Sequence, residues 1–328
     1  MKSKAEKSQF SKLVSDNGIW VVLVVLIIAI TIVNRNFFTP NNAVALLTGE
    51  SVKGVMTFGV TLAILSKGID LSTGSVAALS AICSAALCQA SASKLWAGLP
   101  TMPAIVGILG GIAIGLIVGF ANGWMVAYLR LHPFIATLGT QLICRALCKL
   151  ITPGPVSKLT PGFRFLGNGK IGPFHMIVIV MIIMFIILAF MLKMTRFGKS
   201  VYAVGGNDQA ARVAGINVEH TLVKVYMWCS FCAALGGVLL AGRSDSADPA
   251  NTGLNYELDA IAAATVGGTS QTGGICRPSG VIAGILIMGV INNGMVMMGV
   301  NDQMTFIVKG LIIIGSVAFD MRKNAVKK

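Results

Sequence analysis

Apolar residues run in long blocks along this chain, and short polar stretches separate them. A helix needs about 20 residues to cross ~30 Å of hydrocarbon. Blocks that approach this length cover residues 18–33, 102–128, 134–151, 171–192, 222–241, 280–300 and 304–319. Residues 51–66 and 72–90 are less uniform, and 258–268 is short enough to be tilted or re-entrant. The pattern predicts an all-α polytopic membrane protein with about ten transmembrane segments. Composition agrees. Of 328 residues 55% are hydrophobic and 12% charged, with a mean hydropathy of +0.80, far from a soluble domain of that size.

Charge then orients the chain, because Lys and Arg near span ends stay on the cytoplasmic side. With the N-terminus inside, sixteen basic residues fall on the inner face, among them Lys2, Lys4, Lys7, Lys12, Arg196, Lys199, Lys323, Lys327 and Lys328. Seven fall outside, including Arg35, Lys94, Arg164 and Arg243. Both termini and the loop after residue 193 are therefore expected in the cytoplasm. The net charge of +14 follows from this topology plus attraction to anionic lipid, and needs no nucleic acid. Lysines ahead of an apolar run resemble a signal peptide, but no small-residue cleavage site follows Val33, so an uncleaved first span is expected.

The loop Arg196–Lys224 contains a short helix of its own. Asn207 or Asp208 can cap its start and Gly215 can take the left-handed position past its end. Gln209, Ala210, Ala211 and Arg212 are good helix formers, and Asp208 precedes Arg212 by the four residues that favour an ion pair. So short a helix is unstable alone and must pack on something; a solvated turn helix is the alternative to a docking element.

Glycine and cysteine mark packing. Gly107, Gly111, Gly115, Gly119 and Gly123 recur every four residues, leaving one helical face bare for close backbone approach. Seven cysteines fall mostly inside spans. Cys144 with Cys148, and Cys229 with Cys232, have one-turn spacing but no acidic or histidine neighbour to complete a metal site, and read as small packing residues.

Several motifs resemble permease subunits of ribose/xylose-type monosaccharide ABC importers. These are Ser66-Lys67-Gly68-Ile69-Asp70-Leu71-Ser72-Thr73-Gly74-Ser75, His132-Pro133-Phe134-Ile135-Ala136-Thr137-Leu138-Gly139-Thr140 with downstream Arg145, Tyr202-Ala203-Val204-Gly205-Gly206-Asn207, the run 256–263, Gly267-Gly268-Thr269-Ser270 and Asn292-Asn293-Gly294. The spacing Gln209-Ala210-Ala211-x-x-x-Gly215 is similar to the E-A-A-x-x-x-G docking loop of such permeases, with Gln for Glu. The family's G-G-x-G-R-x-x-G becomes Gly273-Gly274-Ile275-Cys276-Arg277-Pro278-Ser279-Gly280. If the replaced glycine needed positive φ, this inner loop must change shape. The resemblance implies a single transmembrane permease domain over 1–328 with a cytoplasmic coupling loop at about 193–224. It also implies an ATP-binding subunit docked at Asp208, Gln209, Ala210, Ala211, Arg212 and Gly215, a second permease chain, an extracytoplasmic sugar-binding protein and a monosaccharide substrate. Permeases for other small solutes, such as branched-chain amino acids, share the fold.

Polar residues inside apolar segments are the candidates for a translocation pathway. Asp70 can instead cap the third helix, and Glu50 with Lys53 reads as a snorkelling surface pair at a span end. Arg145 lies deep, where a charge needs a cavity or a partner. Lys309 lies about two turns into the last span, with Asp302 and Gln303 at its mouth; it suits either a neighbouring carboxylate or the pathway. Asn122, Asn292 and Asn293 can donate to and accept from a hydroxyl-rich solute, or bond between helices. No P-loop exists, so the chain is expected to bind no cofactor, to be no enzyme, and to leave ATP to its partner. Asp70 is the one carboxylate expected at depth, too few for the proton relay of a secondary transporter.

Overall fold

The computed structural model describes residues 2–90, 94–96 and 98–325. Side chains of Lys2, Lys4, Lys7, Lys12, Asp302, Lys323, Lys327 and Lys328 lie outside the described residues. The helices in chain order are α1 (Lys2–Val33), α2 (Pro40–Leu65), α3 (Thr73–Leu87), α4 (Ala104–Ala127), α5 (Pro133–Ile151), α6 (Pro161–Asn168), α7 (Met176–Met194), α8 (Arg196–Gly206), α9 (Asp208–Val213), α10 (Val218–Ser244), α11 (Tyr256–Val266), α12 (Pro278–Met297) and α13 (Asp302–Ala325). Strand is confined to two-residue pairings, β1 (Val156–Ser157) with β4 (Ser246–Ala247) and β2 (Lys170–Ile171) with β3 (Phe174–His175).

Among the described residues, seven helices are long and apolar enough to cross a membrane: α2, α4, α5, α7, α10, α12 and α13. The apolar part of α1 at Gly18–Val33 and α3 are shorter. Each of the ten expected segments thus coincides with a helix, but α11 has 11 residues, about 16 Å of rise, too short to span alone. It is entered by a non-helical stretch that includes Gly253 and Asn255, both at positive φ.

Local chemistry sets the helix starts. Thr39 accepts from the Asn42 N–H at 3.4 Å with Pro40 in the first turn of α2, and Asn217 accepts from the His220 N–H at 2.8 Å at the head of α10. These are side-chain acceptors supplied to the free donors of a first turn. Helix α2 consequently starts at Pro40, eleven residues before the apolar stretch that announces it.

At the centre, α10 packs against α2, α3 and α4. The glycine face of α4 is buried against α3 and α10, so close that a methyl at Gly119 would lie 2.7 Å from the Tyr226 carbonyl oxygen and one at Gly123 2.7 Å from Val223 Cα. The opposite face, with Ile105, Leu109, Ile117 and Phe120, is exposed, as a lipid-facing side requires. A second apolar cluster joins α2, α7, α10, α11 and α12 through Val55, Met56, Met181, Leu188, Cys229 and Met288. All seven cysteines are buried and free, and no metal-holding group occurs among the described residues.

Candidate coupling helix and intramembrane polar networks

The loop after α7 folds into two helices where one was expected. In its first half Thr195 caps α8 by accepting from the Gly198 N–H at 3.1 Å, and Gly198, Val201 and Val204 are buried along one face. Asn207 ends α8 and starts α9, where its Oδ1 accepts from the Ala210 N–H at 3.0 Å. Gly215 has φ +81°, and its N–H donates to the Arg212 carbonyl at 2.9 Å, which closes the helix as expected.

Of the residues in α9 only Ala211 is buried; it packs with Val204 and Val218 and anchors the helix. Asp208, Gln209, Ala210, Arg212 and Val213 are exposed, and so is Gly215. The expected Asp208–Arg212 pair is not the one formed. Arg212 Nη1 instead meets Glu219 Oε1, 2.6 Å away on α10, because the turn at Gly215 brings the head of α10 alongside.

Helix α8 is joined to the C-terminal end of α2 and to the loop before α12. Tyr202 donates to the Cys276 carbonyl at 2.8 Å, Lys67 donates to the Gly206 carbonyl at 3.2 Å, and Gly205 approaches the Leu65 carbonyl and the Gly274 nitrogen. Burial pushes the Tyr202 hydroxyl above its usual range and the Cys276 thiol up to about 11. Gly273 and Gly274 have φ of +78° and +74°, whereas Cys276 is not at positive φ. The cysteine therefore occupies a position that never needed glycine, and the loop keeps its glycines where positive φ occurs.

Three polar networks lie among the spans. In the first, Ser72 donates to Asp70 Oδ1 from its hydroxyl at 2.6 Å and its N–H at 2.9 Å, Asn122 Nδ2 donates to the Ser72 hydroxyl at 2.9 Å, and Thr140 donates to Asn122 Oδ1 at 2.6 Å. This chain of bonds links α3, α4 and α5. Asp70 is not itself the cap: Ser72 holds that position and Asp70 holds Ser72.

The second network joins α5 to the segment entering α11. Arg145 Nη1 donates to the Thr252 carbonyl at 2.9 Å, and Gln141 Nε2 donates to Glu257 Oε1 at 3.1 Å. Backbone without helical partners needs donors supplied from elsewhere, and Arg145 is one.

The third network corrects the reading of Glu50 and Lys53 as a surface pair. Glu50 is buried and Lys53 is 16% exposed; Lys53 Nζ lies 3.1 Å from Glu50 Oε1 and 3.3 Å from Asp259 Oδ2. Lys309, 14% exposed, reaches Asp259 Oδ1 at 2.9 Å, and Asn292 donates to Glu50 at 3.3 Å. Asn293 instead accepts from Asn42 at 2.9 Å. Lys309 thus meets a neighbouring carboxylate, and the expectation of Asp70 as the one acid at depth is corrected, because Glu50, Glu257 and Asp259 are buried as well. Lys53 reads as a span-end residue because Asn41, Asn42, Thr48 and Glu50 delay the apolar signal of α2 to residue 51. With the helix starting at Pro40, Lys53 stands midway along its 26 residues.

Residues 42–317 match the family described as branched-chain amino acid transport system / permease component. The chain is 39% identical to the galactose/methyl galactoside import permease protein of Escherichia coli K12, over 99% of this chain and all of that one. It is 36% identical to the ribose import permease protein of Bacillus subtilis 168, over 99% and 98% of the two chains. To the ribose import permease protein of E. coli K12 it is 37% identical over 93% of each. No solved structure matches it. The chain is a multi-pass inner-membrane protein that belongs to the branched-chain amino acid transport system / permease component family.

Proposed function

We propose that this chain is the membrane-spanning permease of an ABC importer and carries a monosaccharide inward. End-to-end similarity to galactose and ribose import permeases is the observation that carries this reading. An external binding protein delivers the sugar, a second permease chain completes the pathway, and a separate subunit binds ATP. The permease itself binds no cofactor and makes or breaks no covalent bond. Its task is to bind its partners differently in two conformations.

Both termini and the α8–α9 element lie on the cytoplasmic side, where the excess of Lys and Arg belongs. Helix α9 is the contact with the ATPase; Asp208, Gln209, Ala210 and Arg212 face it, Ala211 anchors the helix and Gly215 sets its end. Arg145, Asn292 and Asn293 border the sugar pathway, while Asp70, Asn122 and Lys309 fix the helices around it.

Reconstitution tests this reading. The permease is combined with its ATP-binding subunit and binding protein in vesicles, and ATP-dependent uptake of labelled ribose, galactose and leucine is followed. Uptake of one of the sugars is expected. Leucine uptake alone would transfer the chain to amino-acid import, and uptake by the permease without ATP would make it a secondary transporter.

A further inference from the structure

The four charges at the heart of the third network divide cleanly into two neutral pairs. Glu50 and Lys53 both belong to α2 and sit 3.1 Å apart, while Asp259 of α11 and Lys309 of α13 sit 2.9 Å apart. One contact crosses between the pairs, Lys53 to Asp259, and at 3.3 Å it is the longest of the three ion pairs. An ion pair inside a membrane is costly to break because it strands two charges. Breaking this one strands neither, since Lys53 keeps Glu50 and Asp259 keeps Lys309.

The surroundings agree with a seam at this place. Helix α13 is tied to α11 by Lys309, and to the loop after α11 by Asp320, which accepts from the Ser270 hydroxyl at 2.9 Å and the Gln271 N–H at 3.1 Å. The same loop after α11 is joined to α2, through the Gly274 N–H and the Leu65 carbonyl at 2.9 Å, and to α8 through Tyr202 and Cys276. Helix α8 leads directly into the α9 contact surface. A push on α9 therefore reaches a half-length helix joined to α2 through the loop at its C-terminal end and by a separable ion pair in its first turn.

We propose that Lys53–Asp259 is the breakable contact of the transport cycle: α11, carrying α13, parts from α2 there, and Glu50 and Lys309 make the parting possible by keeping each side neutral. The proposal rests on the permease reading above. It makes Glu50 and Lys309 positioning residues that act through Lys53 and Asp259, and it predicts an unusual pattern of rescue. In Glu50→Gln, Lys53 depends on Asp259 alone, so the seam locks. In Lys309→Met, Asp259 depends on Lys53 alone, and the seam locks again. Both single variants keep every remaining charge beside an opposite one and fold. Removing the stranded partner restores release, so Glu50→Gln/Lys53→Met transports better than Glu50→Gln, and Asp259→Asn/Lys309→Met better than Lys309→Met.

The test uses the complete importer in vesicles, with sugar uptake and melting temperature measured on the same preparations. Each single variant is expected to lose about tenfold or more in uptake, since a stranded buried charge raises the barrier by more than one factor of ten, and each double variant is expected to regain most of it. Nitroxide labels at exposed Val44 on α2 and Leu258 on α11 give a readout independent of uptake: their separation changes on adding ATP in the parent protein and stays fixed in Glu50→Gln. Double variants no better than the singles, or a label separation that ATP leaves unchanged in the parent, overturns the proposal. Should a single variant fail to assemble, the other pair and the parent label separation decide. Absence of sugar uptake by the parent importer would instead count against the permease reading.

Discussion

Arg212 on α9 and Glu219 on the first turn of α10 are joined at 2.6 Å across the turn at Gly215. This contact and the buried side chain of Ala211 fix the tilt of a helix whose other residues face outward. The side chains are 43% and 23% exposed, so the pair orients more than it stabilises.

Glu219→Gln is therefore expected to change stability by less than about 1 kcal/mol while lowering ATP-driven uptake. Thermal melting and uptake on one preparation check this. Parent-like uptake would show that the tilt of α9 is set without Arg212.

Gly215→Pro removes both the φ of +81° and the N–H that closes α9 on Arg212. No neighbour lies within 4 Å of a Cβ at this position, so the change acts on backbone shape and leaves packing alone. The variant should insert normally, yet the importer assembled with it should hydrolyse ATP without matching uptake. Full transport at normal expression would remove α9 as the coupling element.

Gly115→Leu puts a side chain where a Cβ alone would lie 2.7 Å from the Ser230 carbonyl oxygen of α10. Overpacking of this kind costs on the order of 1–3 kcal/mol or more, and α4 should separate from α10. A lower melting temperature or loss of the intact protein on size exclusion is expected, and an unchanged melt would mean that α4 and α10 part without cost.

Arg145→Leu strips the Thr252 carbonyl of its donor. Leaving such groups unpaired costs on the order of 1–3 kcal/mol, so stability falls together with transport, because the segment entering α11 loses its anchor. A variant that transports poorly but melts like the parent would make Arg145 a sugar contact only, and one unchanged in both would remove it from the site.

What the sequence discloses depends on whether the relevant partner is near in the chain. The glycine face of α4 is readable because its period is that of one helix, and the end of α9 because Asn207 and Gly215 act on their own neighbours. The partner of Arg212 is not, since Glu219 becomes adjacent only after a turn reverses the chain. Lys53 is hidden by the polar residues that open α2, and its partner Asp259 comes from α11, about 200 residues away. Helix α8 is hidden for another reason: Gly198, Gly205 and Gly206 lower its intrinsic propensity, but Gly205 is also what allows it to lie against Leu65 and Gly274, and Gly198 what allows it to lie against Met191 and Leu192.

The bare face of α4 has one more consequence. Where backbone meets backbone there are no side-chain rotamers to redistribute, so α3, α4 and α10 form a stiff block with few ways to deform gradually. The contacts between α2, α7 and α12 are of the opposite kind, with Met56, Met181, Met184 and Met288 packed together. Thioether chains change shape cheaply. Substitutions that tune this carrier's speed should therefore act at that methionine-lined boundary, while those at the glycine-lined one should cost stability first.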